Sequence, residues 1–234
     1  MKSEKIIARL TGVGYLGIFI CGFFANFYIL EGLVVKENAQ LTYQNFIGNP
    51  IQFYQGISAF GLMILIDLLL AFPLYRLLKA ENKRYALISS ALRLVNGLYF
   101  IYALSYLIDI ACELSQEQTT LVNSLEGHLN SFNTHWAIGL IIFGLHLLVL
   151  GDLVRKSKKF PYIIGVLLSL AGIGYLLDSS AQLGLFSEDI KVLFANIVVF
   201  TGTLGELSFT LFLLIKGVRG NTNSQIIKLK DRNH

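Results

Sequence analysis

The sequence predicts an all-α fold: a polytopic bundle of about six transmembrane helices with both termini in the cytoplasm. Three observations predict it. The 234 residues are 54% hydrophobic and only 15% charged, with a mean hydropathy of +0.62, whereas soluble domains carry about a quarter charged residues. The charges are clustered, and the runs between clusters are long enough to cross a bilayer, which takes about 20 apolar residues per helix. The clusters alternate between basic and acidic along the chain. Helices are the expected spanning form because hydrocarbon cannot satisfy backbone N–H and C=O groups. The short alternating segments of a barrel are missing from the sequence.

The first span, Ile6–Leu33, follows Lys2, Lys5 and Arg9. It contains Gly12, Gly14 and Gly17 in a G-x-G-x-x-G pattern. A dinucleotide site needs a strand before that pattern and an acidic residue delivered by a strand after it. The basic lead-in and the unbroken apolar run exclude this. Gly14, Gly17, Cys21 and Ala25 instead fall near one stripe, with Gly22 adjoining, which predicts a close helix-packing face. The span is too long for a cleaved signal peptide and has no A-x-A site. Cys21 follows Ile18-Phe19-Ile20, with no small residue before it, which argues against a lipoprotein anchor. Cys21 is expected in mid-membrane and Cys112 at the outer edge, so they should not pair.

The second and third spans are Pro50–Leu78 and Tyr85–Cys112. Glu113–Asn133 is polar, yet Leu121, Val122, Leu125, Leu129 and Phe132 recur at helical spacing. That predicts either an amphipathic helix on the outer surface or an upward extension of the fourth span. The fourth span is Thr134–Val154, the fifth Pro161–Leu185 and the sixth Ile190–Gly217. Residues 1–220 are read as one transmembrane domain and 221–234 as a polar cytoplasmic tail without fixed structure.

Charge orients the spans. Lys2, Lys5, Arg9, Arg76, Lys79, Lys83, Arg84, Arg155, Lys156, Lys158, Lys159, Lys216, Arg219, Lys228, Lys230 and Arg232 share one side. These are 16 of the 19 basic residues. The other connections hold Lys36 and Lys191 against Glu37, Glu113, Glu117, Glu126, Glu188 and Asp189. The net charge of +4 is therefore a topology signal and not a nucleic-acid footprint. IDLLLAFPLYR, ending at Arg76, and LHLLVLGDLVR, ending at Arg155, echo one another, with Asp67 opposite His146. Parallel two-helix repeats would produce that echo, and so would shared membrane composition.

Ionisable residues inside a membrane are costly and are functional candidates for that reason. Asp67, Arg93, His146 and Glu206 each lie nine or ten residues from a basic boundary residue, roughly 14 Å into the membrane by helical rise. They form one predicted layer. Arg93, Asn96, Gly97 and Phe100 share a face, as do Asn196, Thr203, Glu206 and Thr210, and Gln52, Gly56, Ala59, Met63 and Asp67. The faces predict a polar seam opening outward past Asn196 and Gln52. Arg93 is expected to pair with Asp67 or Glu206, for packing alone or within a binding site. The remaining carboxylate could share His146, hold a proton or meet a ligand cation. The candidate binding residues are thus Asp67, Arg93, Asn96, His146 and Glu206. A metal held by His146, Asp67 and Glu206 is geometrically conceivable, but no H-E-x-x-H or Cys/His cluster supports it, so no metal or cofactor is expected. Asp109, His135, Trp136, Tyr175 and Asp178 read as an outer, wetted rim, where Trp and Tyr anchor helices.

The segments FPYIIGVLLSLAGIGYLLDS (160–179), FGLHLLVLGDLV (143–154) and GELSFTLFLLIKGVR (205–219) carry a family resemblance. DLLLAFPLYRLLK (67–79), ALISSALRLV (86–95) and the N-terminal ARLTGVGYL carry it further. Across almost the whole chain the sequence resembles the DUF4386 family of bacterial integral membrane proteins. The resemblance implies about six helices in a bacterial cytoplasmic membrane. It assigns no activity, so no catalytic residues carry over. Small-molecule binding or transport is the leading expectation, with a lipid environment, a small-molecule ligand or proton, and a homo-oligomer as the partners to consider. An intramembrane enzyme acting on a lipid or small metabolite is a second reading, although no nucleophile–base pair is readable. A structural assembly partner without ligand is the third.

Overall fold

The computed structural model describes residues 2–114 and 118–217; the side chains of 118–121 are left aside. The described residues form seven α-helices, and six helices are long and apolar enough to cross a membrane. Helix α1 covers Lys2–Ala25 and runs on through a π-helical turn, Asn26–Glu31. Helix α2 is Ala39–Gly48, α3 Pro50–Leu78, α4 Lys83–Glu113, α5 Gln118–Lys156, α6 Tyr162–Gln182 and α7 Glu188–Ile215. The six spans all lie where the hydropathy placed them.

Local chemistry sets the boundaries. Asn82 caps α4 by accepting from Arg84 N and Tyr85 N, both at 3.1 Å, which satisfies donors that a first turn leaves free. Pro50 opens α3, where a missing N–H costs nothing. Asn38 caps α2 through Leu41 N at 2.9 Å. Gly184 and Gly217 sit at φ of +84° and +66°, ending α6 and α7 in a conformation only glycine adopts freely.

Two features differ from the expectation. The first connection contains α2, whose Tyr43 and Phe46 are buried, with Phe46 stacked on Phe53 at 4.2 Å. Ten residues make under three helical turns, too short a run for its apolar positions to show a clear period. Of the two forms expected for Glu113–Asn133, the structure shows the extension. Helix α5 is a single rod of 39 residues, about 58 Å by helical rise. Leu125, Leu129 and Phe132 on its upper part are buried against Leu107 and Ile110 of α4. The tail, 221–234, lies outside the described residues, as does Glu117.

The spans form a closed up-and-down ring in chain order. Each packs on its sequence neighbours, and α1 packs on α7 to close it. The interior holds two apolar clusters. One, at the basic end, includes Ala8, Leu74, Leu77, Leu153, Phe160, Phe209 and Leu213. The other, at the opposite end, includes Ile29, Phe53, Phe60, Leu107 and Phe132 and draws on α1 to α5 only. No residue of α6 or α7 joins it, although α6 stays packed on α5. Leu10, Val13, Leu62, Phe72, Leu98 and Ile163 point outward, as a lipid-facing belt does. In lipid such residues gain nothing by turning inward, so the ring depends on close packing and internal hydrogen bonds.

Small residues supply the close packing. A methyl group on Gly12 would lie 3.0 Å from Leu214 N of α7, on Gly14 2.7 Å from a Leu70 methyl of α3, and on Gly22 2.9 Å from Met63 Sδ. The N-terminal glycines are a packing face, as their spacing predicted.

Candidate functional site

The predicted polar layer is built at the level where the two apolar clusters meet. Asp67 and Arg93 are both buried, and Arg93 Nη2 donates to Asp67 Oδ1 at 2.5 Å. Arg93 Nε donates to the Asp67 backbone carbonyl at 3.1 Å, so the guanidinium grips one residue twice. Asn96, one turn along α4, donates to Asp67 Oδ2 at 3.2 Å. Asn96 Oδ1 is buried without a hydrogen-bond partner. Ser90 donates to the Ala71 carbonyl at 3.0 Å, one turn below Asp67, near the interior Pro73 of α3.

His146 completes this network from α5. Its Nδ1 lies 2.8 Å from the Ser89 carbonyl, which can only accept. Nδ1 therefore carries the proton, and Nε2, 3.1 Å from Arg93 Nη1, accepts from the guanidinium. Arg93 Nη1 also donates to the Tyr15 hydroxyl at 2.8 Å, and the guanidinium lies 4.8 Å from the Tyr15 ring centroid. The residues that the internal echo paired, Asp67 and His146, thus both engage Arg93. Neither Tyr15 nor Ser89 was expected here. Ser89 lies one turn before Arg93 on the same face, so that spacing was available as a signal. Tyr15 was hidden within the glycine run.

Glu206 is placed differently. Among the described residues it makes no ion pair, and it accepts from the Tyr175 hydroxyl at 2.7 Å through Oε1. No donor bonds its Oε2 among the described residues. Glu206 and Asp67 both line a cavity of about 580 Å³. The predicted layer therefore splits into a closed network around Arg93 and a half-buried carboxylate facing open space.

The cavity lies inside the ring toward that end, lined on one side by α1 and α3 to α5 and on the other by α6 and α7. Tyr15, Asp67, Glu206 and Thr210 form its floor, above the packed cluster at the basic end. Phe60, Phe100 and Trp136 form an aromatic back wall, with Phe100 stacked on Trp136 at 4.0 Å. Asn26, Glu31 and Asp178 lie toward the far end. Thr203 lines it, as its helical face suggested. The seam does not open past Asn196 or Gln52. Asn196 donates to Val192 O at 3.0 Å, and Gln52 to Tyr28 O at 3.1 Å, and neither lines the cavity. Of the expected faces, Met63, Asp67, Thr203, Glu206 and Thr210 line the cavity, and Gln52, Gly56, Ala59 and Asn196 do not.

The predicted outer rim is also redistributed. Trp136, Tyr175 and Asp178 line the cavity. His135 stays apart, its Nδ1 3.0 Å from Ser131 O and its ring against Tyr102 and Tyr106. Aromatic residues near an interface signal anchoring from sequence alone, and only the helix rotation shows that Trp136 and Tyr175 turn inward. His146 has both ring nitrogens engaged and Asp67 is held by Arg93, so these two are not free to ligate. No three metal-capable side chains converge among the described residues. Cys21 and Cys112 are not joined in a disulfide.

Comparison with known proteins gives a family and no activity. Residues 10–217 match the family described as a domain of unknown function, DUF4386. An uncharacterised protein of Archaeoglobus fulgidus is 30% identical over 156 residues, which is 67% of this chain and 80% of that relative. No solved structure matches.

Proposed function

The chain belongs to the DUF4386 family, and on that footing we propose that it is a small-molecule-binding protein of the bacterial cytoplasmic membrane. The basic end faces the cytoplasm, as the Lys and Arg bias argues, and the cavity opens on the other side. One observation carries the reading: a 580 Å³ cavity whose floor presents Glu206 with one oxygen unpaired. Binding sites for small molecules are commonly concave, largely apolar and fixed by a few polar groups, at volumes of about 300–1,000 Å³. Here the walls are aromatic and the polar groups are Glu206, Tyr15 and Thr210. The Arg93 network lies behind the floor and holds Tyr15 and Asp67 in place.

Binding is favoured over catalysis because no activated nucleophile faces the cavity. Ser89 is buried behind it, against His146. Binding is favoured over a purely structural role because the cavity is not filled by side chains, as a seam serving only assembly would be.

Trp136 is the sole tryptophan of the chain and lines the cavity, so its emission reports occupancy directly. Protein reconstituted in liposomes is titrated with cationic, neutral and anionic aromatic amphiphiles. A saturable change in Trp136 emission, lost in Thr203→Phe, is expected for at least one class. Thr203 is exposed on the cavity wall, so the phenyl group fills the space without entering a packed core. No saturable change with any class would overturn the reading.

A further inference from the structure

We propose that the cavity takes an amphiphilic monocation, which enters sideways from the lipid between α1 and α7 and is held by Glu206. This rests on the binding reading and adds the ligand's charge and its route. The first ground is the charge of the lining. Four carboxylates contribute to it, Glu31, Asp67, Asp178 and Glu206, and no Lys, Arg or His does. Asp67 is neutralised by Arg93. Asp178 accepts from Gln182 at 3.4 Å and has Lys191 within electrostatic reach outside the lining, and Glu31 accepts from Asn26 at 3.3 Å. The cavity is therefore net acidic, with Glu206 the deepest of the carboxylates that Arg93 does not pair.

The second ground is the wall. Phe60, Phe100, Trp136, Phe143 and Tyr175 surround the space above Glu206. Aromatic faces carry partial negative charge and attract cations, most strongly where water is excluded. An anion would meet both the rings and the carboxylates unfavourably. A neutral apolar molecule would fill the walls but leave the free oxygen of Glu206 without a donor, which is costly in a site of low polarity. A lipophilic cation satisfies rings and carboxylate together.

The third ground is the opening. At the basic end α1 and α7 touch, with Gly12 against Leu213 and Leu214 and the Tyr15 ring 5.5 Å from Phe209. Farther along, Phe19 and Phe23 of α1 and Val199 of α7 line the cavity, while Ile20 and Phe200 beside them are exposed without lining it. Apolar side chains of the same two helices therefore border the cavity and the membrane face, so a molecule dissolved in the bilayer reaches Glu206 without crossing a polar rim.

The test compares three probes of similar shape in the Trp136 assay on the full chain in liposomes. They are tetraphenylphosphonium, neutral triphenylphosphine oxide and tetraphenylborate. The cation is expected to bind about tenfold or more tightly than the neutral probe, with no saturable signal from the anion. Glu206→Gln is expected to lower cation affinity about tenfold and leave the neutral probe within about twofold. Equal affinity for cation and neutral probe, with both lost in Thr203→Phe, would overturn the cation proposal and keep the binding reading. An unchanged cation affinity in Glu206→Gln would do the same. Saturable binding by no probe would overturn both. The comparison of probes on wild-type protein needs no variant, so it decides even where Glu206→Gln fails to fold.

Discussion

At the residue scale the structure separates two carboxylates that occupy equivalent depths. Asp67 belongs to a closed network, where Arg93 has Asp67, Tyr15 and His146 as partners. Removing one member of a buried pair leaves the other charge uncompensated, typically at 3–5 kcal/mol. Arg93→Leu should therefore cost several kcal/mol, about that range, and should be partly rescued by adding Asp67→Asn, which removes the orphaned charge. Thermal unfolding of both variants in detergent checks this, and a double variant no more stable than Arg93→Leu would contradict the network. Glu206 has no such partner. Glu206→Gln should shift stability by no more than about 1 kcal/mol, because an amide oxygen still accepts from Tyr175. A large loss of melting temperature in that variant would assign Glu206 a packing role. The pairing of Arg93 was legible because depth can be counted from the flanking basic residues. The partner of Glu206 was not, because counting residues gives depth and leaves the rotation of each helix undetermined, and it is rotation that turns Tyr175 inward.

At the element scale, helices α5 and α6 are joined by glycines in register. A methyl group on Gly144 would sit 2.9 Å from Gly172 O, and one on Gly165 2.6 Å from Gly151 O. Both helices carry the pair at a seven-residue spacing, so one face of each meets the other twice. The antiparallel register extends to Ala137 and Ser179, both buried. In lipid such backbone contact is what holds helices together. Gly165→Ala should destabilise by about 1–3 kcal/mol, because the atoms in its way are backbone atoms that cannot move aside. Gly127, on the exposed upper part of α5 with nothing within 4 Å, is the contrast. Gly127→Ala should be neutral or stabilise by up to about 1 kcal/mol through helix propensity. Equal effects of the two changes would remove the argument for a glycine interface. The pattern was present in the sequence, but a repeat of seven in one helix means little until a second helix is known to face it. The π-helical turn Asn26–Glu31 was less accessible still. Its Asn26 to Glu31 hydrogen bond, 3.3 Å, joins residues five apart, which an α-helix would turn roughly 140° from each other at its 3.6-residue period. The wider turn brings both to the cavity's far end, and such turns often occur at functional sites.

At the scale of the whole molecule, the ring and its orientation follow from different information. Hydropathy located all six spans because bilayer thickness fixes helix length, whatever the packing. The ring order follows the chain because short connections leave neighbours adjacent. Side-chain and backbone ties close the basic end. Lys159 reaches Glu4 at 3.1 Å and the Leu77 carbonyl at 3.1 Å, and Ser157 reaches Glu81 at 3.0 Å. These join the N-terminus, the α3–α4 turn and the α5–α6 turn beneath a packed apolar cluster. At the other end, among the described residues, the ties of α7 run to α6 and the connection between them, as where Phe186 meets Phe194 at 5.3 Å. A cavity closed at one end and open at the other makes sidedness the property that decides where a ligand comes from. Orientation rests on charge alone, so it is tested directly. In a background lacking Cys21 and Cys112, Lys158→Cys and Glu188→Cys mark the two ends; both positions are exposed. An impermeant maleimide added to intact cells should label Glu188→Cys at once and Lys158→Cys only after the membrane is opened. Labelling of Lys158→Cys alone would invert the bundle and make the cavity face the cytoplasm. Labelling of both in intact cells would contradict the six-span ring, because a single span, α6, separates Lys158 from Glu188 and must put them on opposite sides.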